Sequence, residues 1–109
     1  MKAFVNRYSA LEDAIYPRNQ LPALFDKLGV DIIIHQDEDV WEGGQNAGII
    51  LLKGETGEYR YHGSCRYSAS DIEKDAKEAQ SIEEFLARVC RHTHLSYIHP
   101  VTGRPYDLN

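Results

Sequence analysis

Val30-Asp31-Ile32-Ile33-Ile34 is the stretch on which the fold turns. Its three consecutive isoleucines are β-branched and apolar toward both faces of an extended chain, which marks a short, buried strand. Gly29 stands just before it as the C′ residue of a helix. Upstream of that glycine, Leu21, Leu24, Phe25 and Leu28 recur at helical spacing and define one apolar stripe. Asn19 can cap this helix, and Pro22 falls in its first turn, where a missing N–H costs little. Further back, Ser9-Ala10-Leu11-Glu12 has the form of a capping box and predicts a helix from Ala10 that Pro17 stops. Residues 2–7 read as a first short strand.

Working toward the C-terminus, Ala47-Gly48-Ile49-Ile50-Leu51-Leu52-Lys53 is a second central-type strand. Gly54-Glu55-Thr56-Gly57 reads as a hairpin turn. Residues 58–67 return as a strand with Tyr59 and Tyr61 on one face and Arg60 and His62 on the other. Ser70-Asp71-Ile72-Glu73 is a capping-box pattern opening a helical segment that reaches about Arg91. Its two apolar stripes are rotated by about 80° at helical pitch. Ser81-Ile82-Glu83-Glu84 repeats the box, so this segment either bends near Gln80 or is two helices. Residues 95–108 read as a hairpin around Pro100-Val101-Thr102-Gly103 or as an extended tail. The expected fold is α+β, in the order β-α-α-β-β-β-α plus this hairpin or tail. It has a small antiparallel sheet of about three to five strands, with helices packed on one face.

The chain has 109 residues, a formal net charge of −5 and a pI near 5.4. One domain is expected from that length. The acidity argues against broad nucleic-acid binding, which needs clustered Lys and Arg. Cys65 and Cys90, 25 positions apart, form no disulfide framework and read as reduced thiols. No apolar run reaches membrane-spanning length, and the first residues lack a signal-peptide core. A cytoplasmic protein is expected, without a cofactor.

Between the two central strands lies His35-Gln36-Asp37-Glu38-Asp39-Val40-Trp41-Glu42-Gly43-Gly44. From Asp31 to Glu42 there are five acids and no Lys or Arg. Asp37, Glu38, Asp39 and Glu42 would steer toward a basic protein surface, with the only Trp, Trp41, as an apolar anchor. The spacing breaks the EF-hand pattern at Trp41 and puts Gly43 one position late for its sharp turn. A magnesium nuclease would need converging acids plus a Lys, and Lys53 instead follows the apolar pair Leu51-Leu52.

Two other constellations compete. His62, Cys65, Cys90, His92 and His94 are the residue types of a zinc site or a small metal-dependent enzyme, but at irregular spacing. Tyr59, Arg60 and Tyr61 interleave aromatics with a base, as single-stranded nucleic-acid binders do. The helix-sheet-helix order resembles the double-stranded RNA-binding domain. Where that family has a Lys-rich helix start, Ser70 to Glu78 here is acidic and would repel phosphate. The leading expectation is a non-enzymatic domain that binds a basic protein, in the general manner of small acidic inhibitors made by phages. A homodimer through a flat sheet edge is also expected to be accessible.

Overall fold

The computed structural model describes residues 1–8, 18–37, 45–64 and 66–108. A six-stranded mixed sheet runs through it in sequence order. β1 (Ala3–Tyr8) lies parallel to β2 (Ile32–Asp37), and every later pairing is antiparallel: β3 (Gln45–Leu52), β4 (Glu58–Ser64), β5 (Thr93–Ile98) and β6 (Pro105–Asp107). A 3-10 turn at Arg18–Gln20 leads into α1 (Leu21–Leu28), between β1 and β2. Helices α2 (Ala69–Glu78) and α3 (Ile82–Cys90) separate β4 from β5. The helix expected from Ala10 lies outside the described residues.

The α+β class stands, and three details of the expected sheet change. It has six strands, because residues 93–98 form a full strand beside β4 and residues 105–107 close a hairpin on it. It is mixed, because α1 carries the chain back to the starting end and lets β2 run parallel to β1. Helices pack on both faces, because the central strands are apolar on both. Ile32, Ile34, Ile50 and Leu52 face α2 and α3, where Ile72, Ala76, Phe85 and Val89 complete the larger core. Ile33, Ile49 and Leu51 face the other way, against Leu21 and Phe25 of α1. Burying each such side chain stabilises the fold by about 1.5–3 kcal/mol, so neither face could be left bare.

The helix boundaries follow local chemistry. Gly29 ends α1 at φ 65°, and its N–H donates to the Phe25 carbonyl at 2.9 Å. Asn19 does not cap that helix; the 3-10 turn supplies the entry, and Gln20 at the N-cap makes no side-chain bond. The capping box of α2 sits two residues earlier than expected. Ser68 Oγ accepts from the Asp71 N–H at 3.3 Å, and Asp71 Oδ2 accepts from the Ser68 N–H at 3.1 Å. Ser81 Oγ accepts from the Glu84 N–H at 3.1 Å and starts α3, so the long segment is two helices.

The larger core contains one tight approach. Tyr61 is 1% exposed, and its ring lies over Gly48, its cross-strand neighbour. A Cβ on Gly48 would overlap Tyr61 Oη and the His35 carbonyl oxygen. Gly48→Ala is therefore expected to destabilise the protein by about 1–3 kcal/mol, read as a lower urea midpoint. Among the described residues, the buried Tyr61 hydroxyl has no hydrogen-bond partner. Tyr61→Phe is expected to leave stability unchanged or raise it by about 1 kcal/mol in the same titration.

Candidate functional site

Strand direction gathers the chemistry at one end of the sheet. β2 climbs to Asp37, β3 descends from Gln45, β4 climbs to Ser64 and β5 descends from Thr93. The strand ends at Asp37, Gln45 and Ser64 and the α3–β5 turn with His92 therefore share that end. Glu38, Asp39, Trp41, Glu42 and Cys65 lie outside the described residues. Asp37 is placed by its backbone at the last register position of β2, opposite Ala47. The same cross-strand row continues through His62 to His94. At about 4.8 Å per strand, Asp37 stands roughly 10 Å from His62 along the sheet.

The root of the acidic connection is held by a buried polar clamp that the sequence reading overlooked. Gln36 and Asn46 point into the larger core where the strands part, and both are buried. Gln36 Nε2 donates to Asn46 Oδ1 at 3.2 Å, and Asn46 Nδ2 donates to the Tyr67 carbonyl at 2.6 Å. Buried amides are costly unless paired, so this pairing fixes the register in which the two strands leave the sheet. The available signal was two amides flanking the loop at core-facing positions of apolar strands.

Tyr67 extends the clamp to the helices. Its hydroxyl donates to Asp75 Oδ2 at 2.6 Å, and its ring stacks on His92 with centroids 4.6 Å apart. Burial, and next the bond to the Asp75 carboxylate, push the Tyr67 phenol far above its ordinary range. It stays protonated at any physiological pH and serves as a donor, not as a base. Asp75 also meets Arg88 Nη1 at 3.5 Å, and the same guanidinium reaches Glu78 at 3.0 Å and Glu84 at 3.2 Å. Hydrogen bonds from the Gln80 N–H and from Arg88 hold the Glu84 carboxyl below its usual range. In the cleft of about 430 Å³ beside Tyr67 and His92, the Tyr67 hydroxyl is bonded to Asp75 and Lys74 pairs with Glu78 at 3.9 Å.

The four described residues of the metal reading, His62, Cys90, His92 and His94, are divided by the sheet. His62 and His94 are exposed on the α1 side, directly opposite each other in register. Cys90 packs against the larger core on the other side, and His92 stacks on Tyr67 there. Among the described residues, no three His, Cys, Asp or Glu side chains converge as metal ligands. The Tyr59-Arg60-Tyr61 set is divided too. Tyr61 is buried under the helices, Tyr59 is half-buried against Tyr97 with centroids 4.9 Å apart, and Arg60 projects from the opposite face.

Helix α1 covers only part of its face. Arg60, His62 and His94 remain exposed on β4 and β5, beside the row that leads to Asp37. At the far end of the sheet, a cleft of about 400 Å³ opens between α1 and the β3–β4 turn over Leu21 and Phe25. Lys53 and Asp26 form an ion pair of 3.6 Å there, both largely exposed. Among the described residues, no helix is long and apolar enough to cross a membrane.

The clamp makes a measurable claim. Asn46→Ala leaves the Tyr67 carbonyl and the Gln36 amide without this partner, and is expected to lower stability by about 1–3 kcal/mol in chemical denaturation. No family model matches this chain, and no curated protein or solved structure is similar to it.

Proposed function

We propose that this chain is a non-enzymatic binding domain whose acidic β2–β3 connection contacts a protein with a basic surface. One observation carries the reading: the connection richest in charge springs from the two most deeply buried strands, and a buried amide clamp holds its root. A contact loop benefits from such a base, because the ordering entropy of its ends is already spent before the partner arrives. In this reading Asp37, Glu38, Asp39 and Glu42 occupy Lys and Arg positions that would otherwise hold phosphate. Trp41 supplies the apolar anchor. A small acidic inhibitor of a nucleic-acid-handling protein would work in this way. The chemistry near the clamp favours contact over catalysis: its amides are neutral, its phenol is held protonated, and its carboxylates are tied to Arg88.

The test is capture of partners from an extract of the source cells on the immobilised protein, followed by binding kinetics with the captured species. Asp37/Glu38/Asp39→Ala is expected to slow association by about tenfold at low salt and to flatten its salt dependence. Trp41→Ala should instead speed dissociation. Association that ignores both salt and the triple substitution would remove the acidic connection from the interface.

A further inference from the structure

We propose that the outer edge of β1 pairs antiparallel with β1 of a second copy of this chain, about a two-fold axis through Val5. The inference is independent of the acidic connection, which joins different strands.

The parallel ladder shows which groups are available. The Ile32 N–H donates to the Lys2 carbonyl at 3.1 Å, and Ala3 is the register partner of Ile32. Backbone groups alternate sides along a strand, so Lys2, Phe4 and Asn6 direct theirs toward β2. Ala3, Val5 and Arg7 direct theirs outward. Among the described residues, β2 is the only strand beside β1. The outward set contains no proline, so three N–H and three C=O groups are presented at an edge. Such an edge is a template for another strand. The opposite edge differs: β6 has three residues and begins at Pro105, which has no N–H to give.

Self-complementarity selects the occupant. Ala3, Val5 and Arg7 are spaced evenly about Val5. In the antiparallel register that places Val5 opposite Val5 of the copy, Ala3 falls opposite Arg7, and all six main-chain groups pair at once. The partner strand is already held extended by its own β2, so pairing orders nothing new. A free peptide would lose chain entropy on adding there. The side chains also agree. Phe4, a large apolar residue left 38% exposed, falls opposite Asn6 and diagonal to its own copy, within about 7–8 Å. Lys2 falls opposite Tyr8, so no like charges are opposed.

The covering helix permits the approach. The Met1 ammonium donates to the Ala76 carbonyl at 3.2 Å, which places α2 over the start of β1. With Ile72 and Ala76 facing the sheet and Asp75 turned toward Arg88, helical pitch puts Glu73 and Lys77 on the opposite flank. That flank carries both signs, already paired at 3.3 Å, so the α2 helices of two copies do not repel.

Two measurements on the intact chain test the pairing. In sedimentation velocity from about 1 µM to about 500 µM, the wild type should pass from monomer to dimer, as a small interface of this kind allows. Hydrogen exchange over the same range should show the Val5 amide becoming protected as concentration rises, while Phe4 and Asn6 are protected throughout. Val5→Pro removes an outward donor and no ladder bond to β2, at some cost in packing against the larger core, and Phe4→Lys sets two like charges on the diagonal. Each should weaken the dimer by about tenfold or more without losing the monomer fold, read by circular dichroism. A wild type that stays monomeric throughout overturns the proposal. So does a dimer in which Val5 exchange is indifferent to concentration, or one that Phe4→Lys leaves intact.

Discussion

The fold depends on the pair of central strands, β2 and β3, being apolar on both faces. Ile32 and Ile34 belong to one core and Ile33 to the other, and Ile50 with Leu52 and Ile49 with Leu51 repeat the division on β3. A strand buried on both faces cannot sit at the edge of a layer or under a single row of helices. It needs neighbours on each side and cover above and below. In 109 residues there is little chain to supply that cover. Among the described residues, two short helices close one face, and the eight residues of α1 close part of the other. The rest of that face, over β4 and β5, stays open and carries Arg60, His62 and His94.

A second constraint follows at the end where β2 and β3 part. Leaving the sheet there exposes the core to polar chain, and the transition is made by Gln36 and Asn46. Their bonds do not stop at each other. Asn46 holds the Tyr67 carbonyl, the Tyr67 hydroxyl holds Asp75, and Asp75 meets Arg88 on α3. The root of the acidic connection is thereby tied through one residue, Tyr67, to both helices of the larger core. Buried polar groups bonded in this way specify one arrangement among several that an all-apolar junction would tolerate, although Gln36 Oε1 has no hydrogen-bond partner among the described residues. The exposed ion pairs farther along, such as those of Arg88 with Glu78 and Glu84, contribute little by comparison.

Much of the fold was legible because the relevant signals are local. The isoleucine run, the Gly29 stop, the turn after Lys53 and the serine caps each encode a short-range choice of backbone. The sequence offers Ser70 as the cap of α2 as readily as Ser68, which makes it, since both serines precede acids at workable spacing and only geometry separates them. Residues 95–98 were read as part of a tail or hairpin because His94 and Ser96, on an open face, interrupt the apolar pattern. The parallel β1–β2 pair left no local mark, since strand direction is decided by where α1 returns the chain. Cover on both faces was implied by Ile33, Ile49 and Leu51, whose side of the sheet needed its own helix. The acidic connection was evident from composition. Its clamp was not, because Gln36 and Asn46 become partners only once the β2–β3 register is known.

The division of the histidines bears on the kind of chemistry this surface supports. His62 and His94 stand on one side of the sheet, and His92 stacks on Tyr67 on the other. Layers packed on opposite faces lie about 10 Å from the sheet on either side, so His62 and His94 do not share one ion with His92. What remains at the loop end is a row of register positions, Asp37, Ala47, His62 and His94, running from acid to imidazole across three strand pairings. Under the function proposed above, a row that begins at an acid would help to orient a basic partner. The β1 edge lies on the far side of β2 from this row. In an antiparallel pairing of two such edges the loop ends point in opposite directions, since each strand runs against its mate. A dimer built this way would form one continuous sheet with an acidic connection at each end, leaving both open to separate partners or to two sites on one elongated partner. Two sites held on one rigid sheet bind the second contact at a high effective concentration only when the partner's spacing matches. Dimer geometry would then set which partners gain from avidity, while the acidic residues set how fast they arrive.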